Sequence, residues 1–157
     1  MLLELEEAID LLQEFNGVSV TVRVLLAAVL GGLVGSERGR RGRAAGMRTH
    51  VLVCLGAAMT SMVGLYSAEI LGFTNDPLRV SAQVISGIGF LGAGTIMTRN
   101  HAQITGLTTA AGLWATASLG LCIGTGFYGG VLAAFLVILV TMVALPSLER
   151  KRRTRRE

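Results

Sequence analysis

Residues 127–146 read FYGGVLAAFLVILVTMVALP and contain no charged side chain. A helix of this length extends over about 30 Å, which matches the hydrocarbon thickness of a bilayer. The segment therefore predicts a membrane-spanning helix, and Pro146 predicts its end, because proline lacks the N–H that continues a helix. The whole chain agrees, since 52% of its 157 residues are apolar and only 15% are charged, whereas soluble domains carry about 25% charged residues.

Four further apolar segments precede this one, each near the length that crosses a bilayer. They cover residues 18–35, 50–68, 78–97 and 106–123. Before them, residues 2–15 place apolar side chains at helical spacing between carboxylates, which predicts an amphipathic helix too charged to span. The predicted fold is all-α, with about five transmembrane helices. The predicted domains are an N-terminal helix at 1–17, a membrane domain at 18–147 and a basic tail at 148–157.

The charged residues test this division, because five spans place the loops at 36–49 and 98–105 on the same side as the C-terminus. Twelve of the 14 basic residues then lie on that side, and 7 of the 10 acidic residues lie on the other. By the positive-inside rule, we predict a multi-pass protein with its N-terminus outside and its C-terminus in the cytoplasm. The expected partner of the basic residues is the lipid bilayer and not nucleic acid, since they adjoin membrane spans.

The stretch Ser86–Gly94, SGIGFLGAG, contains G-x-G-x-x-G, the pattern of dinucleotide-binding loops. Such a site needs a preceding strand and an acidic residue about 20 positions later. No Asp or Glu occurs between Asp76 and Glu149, and the glycines lie within an apolar span. The dinucleotide interpretation is therefore excluded.

On a helical projection, a stripe of small residues at positions 82, 86, 89 and 93 runs along this segment. Small residues let helices approach closely in lipid, so we predict that the stripe packs against Gly106–Trp114. The alternative is a backbone opened by glycine to line a pathway or a ligand cavity. The residues predicted in this packing are Gly87, Gly89, Gly92, Gly94, Gly106, Gly112 and Trp114.

Charged and amide side chains near the hydrocarbon are costly and therefore stand out. Arg23 lies inside the outer end of the first span, where we expect it to extend toward water or to pair with Glu69 or Asp76. Asp76 precedes Pro77 in the manner of a helix cap. Gln83 lies deeper and needs a partner on another helix.

A magnesium site requires clustered carboxylates, which the predicted topology does not supply. It places Glu37 on the cytoplasmic side and Glu69 and Asp76 on the other, across about 30 Å of hydrocarbon. We also find no convincing nucleophile and base pair, and expect His50 and His101 at the membrane interface. The chain is therefore predicted to be non-enzymatic, with no cofactor, although a bound Mg²⁺ remains an open alternative.

Four ordered motifs resemble the MgtC/SapB family of bacterial inner-membrane proteins, over about residues 20 to 145. They are GSER at Gly35–Arg38, AGMRTH at Ala45–His50, AQVISGIGFLGAG at Ala82–Gly94 and GLTTAAGLW at Gly106–Trp114. The resemblance implies a helical domain in the cytoplasmic membrane, a link to growth under magnesium limitation and, in pathogens, survival inside macrophages. The best-known virulence member restrains the F-type ATP synthase, which makes that enzyme an implied partner.

Two features differ from that virulence member. It carries a soluble C-terminal domain, whereas this chain ends in a short basic tail, so activities of that domain are not expected. It also has Asn where this chain has Thr108, which argues against a virulence role. The candidate ligand- or partner-binding residues, taken from the motifs and from the charged positions, are Glu37, Arg38, Arg48, Thr49, Asp76, Arg79, Gln83, Thr108 and Thr109.

Three hypotheses follow from the sequence. In the first, the helical core binds a membrane partner or a ligand in magnesium or stress adaptation, and its abundant small-residue surface also predicts a homodimer. In the second, the protein transports Mg²⁺ or another small solute along the glycine-rich span beside Gln83. In the third, residues 37–48 form a receptor site for a small molecule or a lipid on the cytoplasmic face.

Overall fold

The computed structural model of the chain describes residues 12–74, 76–99 and 103–153. Most of the predicted N-terminal helix, His101 and the end of the basic tail lie outside the described residues. A short antiparallel hairpin, with β1 at Met97–Arg99 and β2 at Gln103–Thr105, joins the third and fourth of five helices. The helices are α1 at Gly17–Arg40, α2 at Met47–Glu69, α3 at Leu78–Thr95, α4 at Leu107–Gly124 and α5 at Tyr128–Arg153.

The predicted all-α class and the five apolar helices are confirmed. Of the described helices, α1, α2, α4 and α5 are long and apolar enough to cross a membrane by length and composition. Arg79, Gln83 and four glycines lower the hydropathy of α3 below that of the apolar spans in these four helices. The protein is therefore a multi-pass membrane protein.

Local hydrogen bonds cap the first turns of two helices. The side chain of Asn16 accepts from the backbone N–H of Ser19 at 2.8 Å, which caps the first turn of α1. The carboxylate of Asp76 accepts from the backbone N–H of Leu78 at 2.9 Å, so Asp76 caps α3 as its place before Pro77 suggested.

The last apolar span ends at Pro146 as predicted, but the helix α5 itself continues through this proline to Arg153. Proline removes one backbone donor, and membrane helices tolerate this where neighbouring groups satisfy the freed carbonyls. Next to the carbonyl that Pro146 leaves without its donor, Nη2 of Arg41, the residue after α1, donates to the carbonyl of Val143 at 3.1 Å. The first residues of the predicted tail are thus helical.

Gly106 lies against the last residue of α3 and forms the turn that leads from the hairpin into α4. Its φ of 94° lies in the left-handed region, which favours glycine. A side chain here would also collide with the carbonyl of Thr95.

Helices α2 and α4 form the centre of the bundle, with α1 and α5 on one side and α3 on the other. Gly120 and Gly124 of α4 lie directly against the backbone carbonyls of Cys54 and Ala58 on α2. On the other face of α2, Gly31 of α1 approaches Cys54 equally closely. Close backbone contact of this kind is what holds helices together in lipid.

The face of α3 that packs in the bundle is not the predicted one. Its buried residues are Ser81, Ile88 and Gly92, and Ile88 inserts between Ala57 of α2 and Ala117 of α4. Small residues on α2 and α4 form a groove there, and a groove is filled by a bulky side chain rather than by a second small-residue face.

Among the described residues, the glycines on the outer side of α3 do not make the predicted contact with α4. A Cβ added at Gly87, Gly89 or Gly94 would meet no atom of the described residues within 4 Å. Gly92 is the glycine that contacts α4, at Ala110, and Trp114 is half exposed on the surface of α4.

We predict that Gly120→Ala destabilises the protein by about 1–3 kcal/mol, because its new Cβ collides with the carbonyl of Cys54. The matched control is Gly56→Ala, since Gly56 lies in α2 with open space around it. Alanine favours helix formation over glycine, so the control is expected to be neutral or slightly stabilising. Thermal unfolding in detergent micelles measures both, and equal midpoints would contradict the predicted packing.

Candidate functional site

Two arginines of α1 are buried, with Arg23 near its start and Arg38 near its end. Their exposed fractions are 1% and 4%. Fifteen residues separate them, which corresponds to about 22 Å along a helix and to nearly the same side of it. Each therefore faces the bundle interior, at opposite ends.

Each of the three guanidinium nitrogens of Arg23 donates a hydrogen bond to an oxygen atom. It donates to the carbonyls of Gly124 at 2.9 Å, Leu12 at 3.0 Å and Gln13 at 3.1 Å, and its Nε donates to the hydroxyl of Tyr128 at 3.3 Å. The predicted extension toward water or pairing with Glu69 or Asp76 is therefore wrong. Neutral carbonyls at the end of α4 attract the cation instead.

Arg38 has far fewer partners. Its Nη2 donates to the hydroxyl of Thr109 at 2.9 Å, and its Nη1 lies 3.7 Å from the sulfur of Met142, a weak acceptor. Its Nε is buried without a hydrogen-bond partner among the described residues. A guanidinium with one strong hydrogen bond is an unusual feature in a buried position.

His50 of α2 lies beside this arginine and is fully buried within the bundle. Its Nδ1 lies 2.9 Å from the carbonyl of Gly46, and since a carbonyl only accepts, we assign the proton to Nδ1. Its Nε2 is buried and has no partner within the described ranges. A Cβ added at Gly112 would lie 3.8 Å from this Nε2 and 3.0 Å from the Met142 methyl, so Gly112 allows the Met142 methyl to approach α4 closely here.

The Arg38 centre, defined as Arg38, His50, Thr109, Gly112 and Met142, thus joins four helices at the basic end of the bundle. The basic end is the end that contains residues 36–49 and the hairpin. Sequence reasoning selected Arg38, Thr109 and Gly112 but missed His50 and Met142. The spacing of His50, Cys54, Ala57 and Ser61 along one stripe of α2 was the signal for burial of His50.

The other predicted residues at this end do not converge with Arg38. Glu37 forms an ion pair with Arg41, one turn later on the same helix. Arg48 and Thr108 are exposed, and Thr49 is half-buried. Residues 37–48 therefore do not form one closed receptor site.

Asp76 and Arg79 lie at the opposite end, where they line a cleft of about 170 Å³ between the ends of α2 and α3. Gln83 is exposed on the outer side of α3. No group of three or more His, Cys, Asp or Glu residues within the described part of the chain could hold a metal ion.

Comparison with known protein families shows the family of this chain. The MgtC family model matches residues 24–151. The chain belongs to the MgtC family. This confirms the resemblance that its four motifs indicated, and no solved structure matches the chain.

Several curated relatives share the membrane part of the family. The chain is 45% identical over 127 residues to the putative magnesium transporter YhiD of Escherichia coli, covering 78% of this chain and 59% of YhiD. It is 42% identical to MgtC of Salmonella typhimurium, covering 79% and 51%, and 35% identical to SapB of Bacillus subtilis, covering 84% and 59%. The matched region thus spans only about half to three fifths of these relatives.

We predict that removing the two buried arginines changes stability by different amounts. Arg23→Gln breaks several charge-assisted hydrogen bonds and is expected to lower the free energy of unfolding by about 2–4 kcal/mol. Arg38→Gln removes a poorly satisfied buried charge and is expected to change it by about 1 kcal/mol or less. Thermal unfolding of both variants in the same detergent checks this. A loss at Arg38 as large as that at Arg23 would show that Arg38 is also structural.

Proposed function

We propose that this chain is a non-enzymatic protein of the bacterial cytoplasmic membrane that supports growth under magnesium limitation and related stress by binding a membrane partner. The basic end faces the cytoplasm in this proposal, in accord with the positive-inside rule, and the start of α1 lies outside. Membership of the MgtC family supports the magnesium link. The outer face of α3, defined as residues 82, 83, 86, 89, 90 and 93, supports the binding mode.

Polar groups on this face are the observation that carries the proposal. Gln83 and Ser86 are exposed on the side of α3 that points away from α2 and α4. An amide in contact with lipid loses its hydrogen bonds, whereas a neighbouring membrane protein restores them. Lipid alone is therefore a poor environment for the outer face.

The shape of the outer face also suits a protein partner. Phe90 is 84% exposed and projects from a surface on which Gly87, Gly89 and Gly94 leave their backbone open. Small residues beside a projecting ring allow a helix to approach closely and to enclose the ring. Van der Waals contact of this kind supplies most of the association energy in a bilayer.

The first partner that we propose is a second copy of this chain. Two copies in one membrane share their orientation, so a two-fold axis would place α3 beside its equivalent in parallel. An amide both donates and accepts, and Gln83 would then pair with the Gln83 of the partner subunit. The family resemblance adds the F-type ATP synthase as a second, heterologous partner.

Transport of Mg²⁺ is the second candidate function, which the name of the YhiD relative favours. Mg²⁺ binds carboxylates and keeps several waters, and it needs oxygen ligands along its path. The outer face offers one amide and one hydroxyl, and the described residues offer no clustered carboxylates. The buried cation Arg38 would repel Mg²⁺ at the basic end. These observations favour partner binding.

Disulfide trapping in native membranes tests the outer face. In a background with Cys54→Ala and Cys122→Ala, we expect oxidised Ser86→Cys to form a covalent dimer, because equivalent positions meet in a parallel pair. The matched control is Leu136→Cys on α5, which is also exposed on an apolar surface. Gln83→Ala should lower the yield at position 86, and equal yields at positions 86 and 136 would contradict a specific interface.

A flux measurement decides between the two candidates. Liposomes that contain the purified protein and an internal Mg²⁺ dye are expected to respond like empty liposomes. A protein-dependent Mg²⁺ signal that Gln83→Ala abolishes would contradict the proposal and favour transport.

A further inference from the structure

Arg38 and Arg23 lie on the same helix, so their hydrogen bonds can be compared directly. Both are buried, but Arg23 has four oxygen acceptors, whereas Arg38 has one oxygen and one sulfur. The fold can therefore satisfy a buried guanidinium fully and does so at one end only. At the basic end, an acceptor for the Nε of Arg38 is missing from the described residues.

His50 supplies the second unpaired group at this centre. Because its Nδ1 donates to Gly46, its Nε2 accepts a hydrogen bond in the neutral ring. The unpaired atoms thus have opposite needs, since Arg38 Nε requires an acceptor and His50 Nε2 requires a donor. Both belong to side chains that border Met142 and Gly112.

A phosphate group that retains one hydroxyl meets both needs. Its charged oxygens accept from guanidinium N–H groups in a geometry that arginine fits well, and its P–OH donates to a neutral imidazole. A carboxylate would satisfy Arg38 and leave His50 unpaired. The exposed Arg40, Arg43 and Arg48 surround the same end and favour an anion of higher charge.

We propose that the Arg38 centre is a binding site for a phosphate monoester group or inorganic phosphate, held by Arg38, His50 and Thr109. The thioether of Met142 occupies the position beside Arg38 Nη1 that a phosphate oxygen takes in the bound state. Met142 is unbranched and flexible, so it can leave this position. Two sources share this chemistry, a soluble phosphate and the headgroup of phosphatidic acid in the adjoining leaflet.

Calorimetric titration of the full chain in phosphate-free detergent with inorganic phosphate tests the soluble source. Arg38→Gln is expected to weaken binding about 30-fold, as for loss of charge-assisted hydrogen bonds. The matched control is Arg40→Gln, which removes the same charge from an exposed position two residues later and should weaken binding about 3-fold or less. Met142→Ala removes the competing sulfur and should strengthen binding about tenfold.

The lipid source is tested with nanodiscs that contain phosphatidic acid or only phosphatidylcholine. Binding of phosphatidic acid that depends on Arg38 and not on Arg40 supports the site with a lipid headgroup as its ligand. Absence of binding to both probes, in the wild-type chain and in Met142→Ala, would overturn the proposal.

Equal weakening by Arg38→Gln and Arg40→Gln would also overturn it, because it would indicate attraction to the basic surface alone. If Arg38→Gln does not fold, Arg38→Lys and Met142→Ala still decide the question. The Arg38 centre is separate from the outer face of α3, so trapping at position 86 proceeds whatever the outcome here.

Discussion

The structure depends on the close approach of α2 to the helices on both of its sides. Lipid provides no hydrophobic force between helices, so contact between their backbones must supply the association energy. Gly31 on α1 and Gly120 and Gly124 on α4 allow this contact at the carbonyls of α2. With α1 held against α2, its two inward-facing arginines are confined to the ends of the bundle.

The two ends of the bundle differ in the hydrogen-bond acceptors that they offer to a buried arginine. At the end opposite the basic end, the last turn of α4 directs the carbonyl of Gly124 toward Arg23, and this end is closed by hydrogen bonds. At the basic end, the starts of α2 and α4 face Arg38 and offer it few acceptors. Arg38 and His50 therefore retain unused hydrogen-bonding capacity in the interior. Capacity of this kind is typical of a binding site rather than of a structural contact.

The same close contact explains the orientation of α3. The small residues that bring α2 and α4 together leave a groove between them, and Ile88 fills it. The small and polar residues of α3 are then on the outside, where Gln83 lies away from α2 and α4. Small and polar residues are common on helix faces inside a bundle. On a face that points away from the other helices, the same residues indicate a candidate interface.

The sequence predicted the features that depend on length, hydropathy and charge. These include the five helices, the clustering of arginines in 36–49 at one end and the cap at Asp76, each of which follows from local physical rules. It did not predict the face on which α3 packs, because a stripe of small residues looks the same whether it meets a neighbouring helix or a second protein. It also did not predict that α5 continues past Pro146, since a proline ends a helix only where its missing hydrogen bond is not tolerated.

The different hydrogen bonding of Arg23 and Arg38 could not be predicted from local sequence patterns. Both arginines lie near the ends of one apolar span, and their acceptors come from segments far along the chain, such as Gly124 and Thr109. The packing of α4, α5 and residues 12–13 around α1 determines which of the two arginines is satisfied.

The most direct test of this account is an intramolecular disulfide between α2 and α3. The hydroxyls of Ser61 and Ser81 lie 3.1 Å apart in the interior, a separation that suits a disulfide after substitution of both residues by cysteine. In a chain without its native cysteines, the account predicts that Ser61→Cys with Ser81→Cys loses both free thiols on mild oxidation. It predicts that Ser61→Cys with Ser86→Cys forms no such bond within one chain. Bonding of position 61 to 86 and not to 81 would contradict the orientation of α3.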